Sequence, residues 1–86
     1  MKEKIQAFLC KEENWKKFIS AEPQELEVAK ILSVDVTTFM QEDHHVHFDV
    51  SLVYSVNGFG RRQSYESGVG ILDNKGNMTE VRNNTP

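Results

Sequence analysis

Residues 46–56 read VHFDVSLVYSV. Every even-numbered residue of this stretch is apolar or aromatic, and every odd-numbered residue except Val53 is polar. Side chains of a β-strand point alternately to its two faces, so this period of two predicts a strand with one dry face and one wet face. The dry face needs a cover, which the rest of the chain must supply.

A helical segment over residues 2–20 is predicted to provide that cover. Its apolar side chains recur at the three- and four-residue spacing of an amphipathic helix. They are Ile5, Phe8, Leu9, Trp15, Phe18 and Ile19. Glu12 interrupts this stripe, so we expect a kink or a break within residues 11–14, where Asn14 is a candidate N-cap of a second helix. Pro23 disfavours helix at the residue before it, so the helical segment should end ahead of it.

A second strand is predicted over residues 32–40, which alternate in the same way. The polar residues 41–45 should turn the chain with an odd number of loop residues, because an even number would set apolar side chains opposite polar ones. The expected pairs are Met40 with Val46, Val36 with Val50, and Val34 with Leu52.

A third strand is predicted over residues 61–72, after a hairpin turn at residues 57–60. Its odd-numbered residues are the more apolar set, so we expect them to face the core. That orientation requires an even loop, and a loop of four residues avoids setting Asp49 opposite Glu66. The expected pairs are Leu52 with Tyr65, Phe48 with Val69, and Val46 with Ile71.

The predicted fold class is α+β, with an N-terminal helix, kinked or split, packed on a four-stranded antiparallel meander in the order α-β-β-β-β. A turn over residues 73–77 leads to the edge strand, residues 78–82. We expect one domain over residues 1–82, because 86 residues are too few for two cores, and a flexible C-terminal tail over residues 83–86. This order of elements resembles cystatin-like and NTF2-like folds, and the resemblance carries no functional residue.

Composition limits the classes of function. A formal net charge of −3 gives no general attraction to nucleic acid, and no apolar run approaches the roughly 18 residues that cross a membrane. The single cysteine, Cys10, allows no internal disulfide, and the first residues open an amphipathic segment rather than a signal-peptide core. We therefore expect a cytoplasmic protein with no cofactor and with neither nucleic acid nor a membrane as its partner.

Three side chains on the wet face of the central strand are candidate metal ligands. His45, His47 and Asp49 follow one another at about 7 Å along the strand. Two imidazoles at this spacing can hold a transition metal, with a carboxylate as third ligand. The alternative is a solvated strand face, and we favour it because the pattern is short and no fourth ligand can be named.

A pocket between helix and sheet is a second candidate site. Trp15, Tyr54, Gln63 and Tyr65 would line it, and Gln63 supports the idea because it is polar on an otherwise apolar inward side. A dry cleft of at least about 300 Å³ would favour a small-ligand-binding protein or a minor enzyme. No catalytic set of residues could be assembled, so the sequence favours a protein that is not an enzyme.

The outer face of the sheet is the third candidate site, and the one that we favour. Parity exposes Phe39 and Val53 there, and Gly68 and Gly70 leave a bare strip that either admits a partner or merely permits strong twist. A chain of this size buries only about 60–65% of its unfolded surface, so association would stabilise it. We expect a small interaction or accessory protein that acts by protein binding, as a homodimer formed through this face or through the edge strand.

Overall fold

The computed structural model describes residues 1–19 and 28–84, and it confirms the predicted α+β architecture. Two helices, α1 (Lys2–Cys10) and α2 (Glu12–Phe18), precede four strands. The strands are β1 (Val28–Glu42), β2 (His45–Val56), β3 (Gly60–Leu72) and β4 (Met78–Asn83). They form one antiparallel sheet in the order β1-β2-β3-β4, a meander. The predicted helix end near Pro23 lies outside the described residues.

The predicted break in the helical segment is confirmed. Lys11 has an extended backbone (φ −78°, ψ 134°) and separates α1 from α2. The expectation that Asn14 caps the second helix is wrong, because α2 begins two residues earlier, at Glu12. Asn14 Nδ2 donates instead to the Phe8 carbonyl at 2.8 Å, which satisfies one of the carbonyl groups that a helix end leaves without an intrahelical partner. No described helix is long and apolar enough to span a membrane.

The dry face of β2 forms the core, as the alternation predicts. All six even-numbered residues from 46 to 56 are buried, and Leu52 has no exposed surface. The helices contribute Ile5, Leu9, Trp15 and Phe18, and Ile19 follows directly after α2. Burial of each large apolar side chain is worth roughly 1.5–3 kcal/mol, so this layer supplies most of the hydrophobic stabilisation.

The register between β1 and β2 agrees with prediction in one half and departs from it in the other. Val36 lies opposite Val50 as expected, but Val46 lies opposite Gln41 instead of Met40. The cause is a β-bulge at Thr37, the extra residue between two paired positions. The bulge reverses the parity of the rest of β1, and the turn shortens to the two residues between Glu42 and His45.

The predicted register between β2 and β3 is wrong by one residue. Leu52 lies opposite Ser64, and Val56 lies opposite Gly60, so the loop holds three residues instead of four. Gly58 within the loop and Gly60 directly after it have φ values of +83° and +76°, which glycine adopts without a steric penalty. A shift of one residue turns every side chain of a strand to the other face. The even-numbered residues of β3 therefore face the helices.

This register gives Gly68 a packing role. Gly68 lies opposite Phe48, whose ring stacks on that of Phe18 with centroids 5.9 Å apart. A Cβ atom at this position would stand 2.7 Å from both rings. The bare backbone of β3 therefore makes the space in which the aromatic pair links α2 to the sheet.

The strand β4 is one residue longer than predicted, so the predicted tail does not begin at Asn83. Asn83 Nδ2 donates to the Phe18 carbonyl and to Glu66 Oε1, each at 2.8 Å. The backbone N–H of Asn84 donates to the Ser67 carbonyl at 2.7 Å. Asn83 thus ties the end of α2 to the sheet, while residues 85–86 lie outside the described part of the chain.

The observed register predicts that Gly68→Ala destabilises the fold by about 1–3 kcal/mol, the usual cost of overpacking a core. Gly70→Ala should cost less, because its new methyl group would meet chiefly the flexible end of Met78. Urea unfolding measures both effects. If Gly68 faced outward, alanine would cost nothing there, so a Gly68→Ala protein as stable as the parent would contradict this register.

Candidate functional site

Both described helices pack on one side of the sheet, and we call the opposite side the outer sheet face. Residues directly opposite one another on paired strands share a face, so the register defines its members. They are Lys30, Ser33, Asp35, Thr38, Met40 and Glu42 of β1, His45, His47, Asp49, Ser51, Val53 and Ser55 of β2, Arg61, Gln63, Tyr65, Ser67, Val69 and Ile71 of β3, and Glu80 and Arg82 of β4.

Asp49 lies at the middle of this face and accepts a hydrogen bond on each carboxylate oxygen. Ser67 Oγ donates to Oδ1 at 2.6 Å and Thr38 Oγ1 donates to Oδ2 at 2.7 Å. The bond from Ser67, followed by the bond from Thr38, lowers the pKa of the Asp49 carboxyl group, and a small desolvation opposes them. Asp49 is therefore an ionised acceptor that joins three strands.

A further hydrogen bond extends this polar band. Gln63 Nε2 donates to Ser51 Oγ at 3.0 Å, across the pairing of β2 with β3. The band crosses the centre of the outer sheet face, and three hydrogen bonds link its side chains. A partner that covers these groups would find those three bonds already made, which lowers the cost of removing them from water.

Apolar side chains lie on both sides of the polar band. On one side, Met40 and Val69 flank His47, and Met40 is 62% exposed. On the other side, Val53 lies within the sheet at half burial. Tyr65 stands beside the band and is 73% exposed. Aromatic residues and methionine are enriched at protein interfaces, so this arrangement is typical of a contact surface.

The two ends of the outer sheet face carry opposite charges. Lys30 and Arg61 flank Ser55 at one end, and Glu42 lies opposite His45 at the other. Ten residues of β2 separate the two ends, which is about 33 Å at the usual rise of a strand. The face is therefore positive at the β2–β3 turn and negative at the β1–β2 turn.

The three candidate metal ligands lie on this face. His45, His47 and Asp49 point outward opposite Ile71, Val69 and Ser67. Both oxygens of Asp49 already accept a hydroxyl group, so a cation bound there would share the carboxylate with Thr38 and Ser67. Within residues 1–19 and 28–84, no group of three or more His, Cys, Asp and Glu side chains is arranged to hold a metal ion.

The four candidate pocket residues are not brought together. Trp15 and Tyr54 are buried in the core on the helix side, whereas Gln63 and Tyr65 are exposed on the outer sheet face. The prediction that Gln63 and Tyr65 face inward is wrong, because the three-residue loop reverses the parity of β3. The sheet itself separates the two pairs.

Of the four candidate interface residues, only Val53 lies on the outer sheet face. Phe39 lies opposite Phe48 on the helix side, where 47% of its surface is exposed. Gly68 and Gly70 lie on the helix side too, and both are buried. The predicted outward orientation of Phe39, Gly68 and Gly70 is therefore wrong. The bulge at Thr37 turns Phe39 to the helix side, and the three-residue loop before β3 does the same for the two glycines.

The side chains that occupy the outer sheet face in their place are Met40, Val69 and Ile71. The alternation of β3 places Val69 and Ile71 on one side of the strand, but the predicted four-residue loop turns that side toward the helices. The hydrogen bonds from Thr38 and Ser67 to Asp49 can be predicted only when the bulge at Thr37 and the length of the loop between β2 and β3 are known.

Comparison with protein-family models, with curated protein sequences and with solved structures yields no match to this chain. The resemblance to cystatin-like and NTF2-like folds therefore stays a prediction that rests on the order of elements. The geometry of the chain itself has to carry any functional conclusion.

The hydrogen bonds to Asp49 predict its titration. Its carboxyl group should titrate below the ordinary value of 3.8, and the paired substitution Thr38→Val and Ser67→Ala should raise that midpoint. Because the folded-state pKa is the lower one, the ionised group adds stability above the unfolded-state pKa that is lost as the pH falls through the folded-state pKa. Carbon-13 NMR of the carboxyl group measures the midpoint directly.

Thr37→Val is the matched control for this experiment. The Thr37 hydroxyl donates to the Asp49 backbone carbonyl, at 3.3 Å, and not to the carboxylate. The control should leave the carboxyl midpoint where it is in the parent protein. An equal rise in both proteins, or a parent midpoint at the ordinary value, would refute the assigned hydrogen bonds.

Proposed function

We propose that this chain is a small non-enzymatic protein that acts by binding other protein chains, and that it forms a homodimer through the outer sheet face. The arrangement of that face supports the proposal, because apolar side chains lie on both sides of a hydrogen-bonded polar band and opposite charges mark its ends. We place the protein in the cytoplasm, because its single cysteine, Cys10, is exposed and free, as suits a reducing compartment.

The charge pattern of the face is self-complementary. Two sheets that pack face to face in a symmetric dimer are related by a two-fold axis in the plane between them. If that axis runs across the strands, each end of one sheet meets the opposite end of its partner. The row of Lys30, Ser55 and Arg61 then faces the row of Glu42 and His45, and β1 lies over β1. Each dimer gains two such attractions.

The same axis covers the apolar side chains of the face. It passes between Asp49 and Ser51, so the row of Met40, His47 and Val69 faces the row of Ser33, Val53 and Gln63. Tyr65 then meets the row that contains Asp49, whose ionised carboxylate can accept a hydrogen bond from a phenol group. The pairing therefore covers apolar surface without setting like charges opposite each other.

The area of the face is sufficient for a reversible dimer. Three strands spaced about 4.8 Å apart and about 36 Å long present roughly 500 Å² per protomer. The dimer would bury about 1,000 Å², the lower limit for a specific interface. We therefore expect a dissociation constant in the micromolar range rather than an obligate assembly, although area does not fix affinity.

The other two candidate functions have less support. A small-ligand pocket lined by Trp15, Tyr54, Gln63 and Tyr65 would require side chains from both sides of the sheet. A metal site at His45 and His47 has less support, because no three or more His, Cys, Asp and Glu side chains of the described residues are grouped to hold a metal ion. Neither candidate site therefore has a geometry that favours it over protein binding.

Charge reversal tests the proposed dimer. Glu42→Lys or Lys30→Glu should each weaken dimerisation about tenfold, because each replaces two attractions by two repulsions of exposed charges. The double variant, Glu42→Lys with Lys30→Glu, should recover most of the parent affinity, because the pairs are restored with exchanged signs. Sedimentation velocity across a concentration series measures the monomer–dimer equilibrium.

Two substitutions control for charge alone and for position. Lys75→Glu makes the same change of charge in the β3–β4 turn, away from the face, and should leave dimerisation unchanged. Phe39→Lys should do so as well, because Phe39 lies on the helix side. Two results would reject this dimer. One is a parent protein that stays monomeric at a concentration on the order of 100 micromolar, and the other is a loss of affinity in the single variants that the double variant does not recover.

A further inference from the structure

The last strand of the sheet, β4, covers only part of β3. β3 has 13 residues, whereas β4 has 6 and pairs with β3 from Gly68 to Leu72. One further bond, from the Asn84 N–H to the Ser67 carbonyl at 2.7 Å, extends this ladder. Among the described residues, no strand pairs with residues 61–65 on the side of β3 that faces away from β2. We call this stretch the open edge.

The hydrogen bonds of β3 fix which backbone groups of the open edge point outward. The Leu72 N–H donates to the His44 carbonyl, and bonded and non-bonded pairs alternate along an antiparallel ladder. No register shift interrupts the pairing of β2 with β3, so the even-numbered residues of β3 bond to β2. Each of Arg61, Gln63 and Tyr65 therefore directs its N–H and its C=O away from β2, where an added strand can bond to them.

The side chains along the open edge are accessible from solvent. Tyr65 is 73% exposed, and Arg61, Arg62 and Gln63 are exposed as well. The amide of Gln63 is bonded to Ser51 Oγ within the sheet, which leaves the Gln63 backbone groups to a partner. An extended segment can therefore approach the backbone of β3 directly.

The end of the open edge beside the β2–β3 turn is basic. Arg61 lies on the outer sheet face and Arg62 on the helix side, opposite Tyr54, so the two guanidinium groups stand on opposite faces of the strand. No ion pair among the described residues includes either arginine. Guanidinium groups bind carboxylates in a two-pronged geometry. The charge of this end therefore favours an acidic occupant.

The edge that β1 presents is less suited to an added strand. β1 contains three register shifts against β2, and bulges protect an edge from pairing. In addition, the Val36 N–H donates to Gln6 Oε1 of α1 at 3.2 Å, so α1 occupies part of that edge. The open edge of β3 has neither form of protection in the described part of the chain.

We infer that the open edge of β3 binds an extended acidic segment of a partner protein, which adds to the sheet in line with β4. Main-chain bonds to Arg61, Gln63 and Tyr65 hold the segment, and its carboxylates lie beside Arg61 and Arg62. A second copy of this chain fits less well, because pairing two open edges would place four arginines along one short edge. The inference concerns an edge of the sheet and does not depend on the proposed dimer.

A library of random twelve-residue peptides displayed on phage, selected on the whole protein, tests the inference. Enriched peptides should be acidic. Arg62→Glu should weaken binding of a synthetic enriched peptide about fivefold, the effect of reversing one exposed charge, and leave dimerisation unchanged because Arg62 lies on the helix side. Lys30→Glu, the matched control, should leave peptide binding unchanged even where it weakens the dimer, so the two proposals fail separately.

A pair of proline substitutions tests the main-chain bonds. Gln63→Pro removes an N–H that points outward, where an edge strand tolerates proline, so it should abolish peptide binding and keep the circular dichroism spectrum of the parent. Ser64→Pro removes an N–H that bonds to β2 and should destabilise the fold instead. In the parent protein, nitrogen-15 NMR should show the largest peptide-induced shifts at the amides of Arg61, Gln63 and Tyr65.

Four results would overturn the inference. They are a selection that enriches no acidic peptide, peptide binding that Arg62→Glu leaves unchanged, full binding by a folded Gln63→Pro variant, and shifts that leave out the amides of the open edge. Binding of an oligothymidylate in place of any acidic peptide belongs to the first of these results.

Discussion

The whole structure depends on the alternation of side chains along β2. Its even-numbered residues form a dry face that must be covered, and its odd-numbered residues form a wet face. Each neighbouring strand is fixed in register against β2, because a one-residue slip would move its entire side-chain pattern to the other side, and the register of β3 sets Gly68 and Gly70 on the helix side. The helices then pack where that dry face lies, with Phe18 and Phe48 stacked over Gly68.

Two local features decide which residues complete each face. The bulge at Thr37 lets β1 match β2 at Val36 and yet turns Phe39 toward the helices. The three-residue loop before Gly60 turns Val69 and Ile71 outward. Together they give the outer sheet face its apolar side chains, and they place Ser67 and Thr38 on either side of Asp49. The composition of the candidate site thus follows from the conformation of a few turn and bulge residues.

The reach of prediction from sequence follows from the same physics. The alternation of β2, the interrupted helical stripe and the order of elements are visible because each repeats over many residues. The bulge at Thr37 and the length of the loop at residues 57–59 rest on single residues, and no period reveals them. The predicted pair of Val36 with Val50 is therefore right, whereas Met40, four residues further along the same strand, was assigned to the wrong face. Gly68 and Gly70 lie on the helix side, contrary to the predicted interface, because the loop at residues 57–59 has three residues instead of four.

The measurement that most directly tests this account is the cross-strand contact pattern between β2 and β3 in solution. The Leu72 N–H donates to the His44 carbonyl, so the pairs of Asp49 with Ser67 and of Ser51 with Tyr65 are the closely spaced ones, with Cα atoms about 4.5 Å apart. This register predicts strong Hα–Hα nuclear Overhauser effects within these two pairs. Effects between Asp49 and Gly68 in their place would mean a four-residue loop, and would contradict both the register and the outer sheet face built on it.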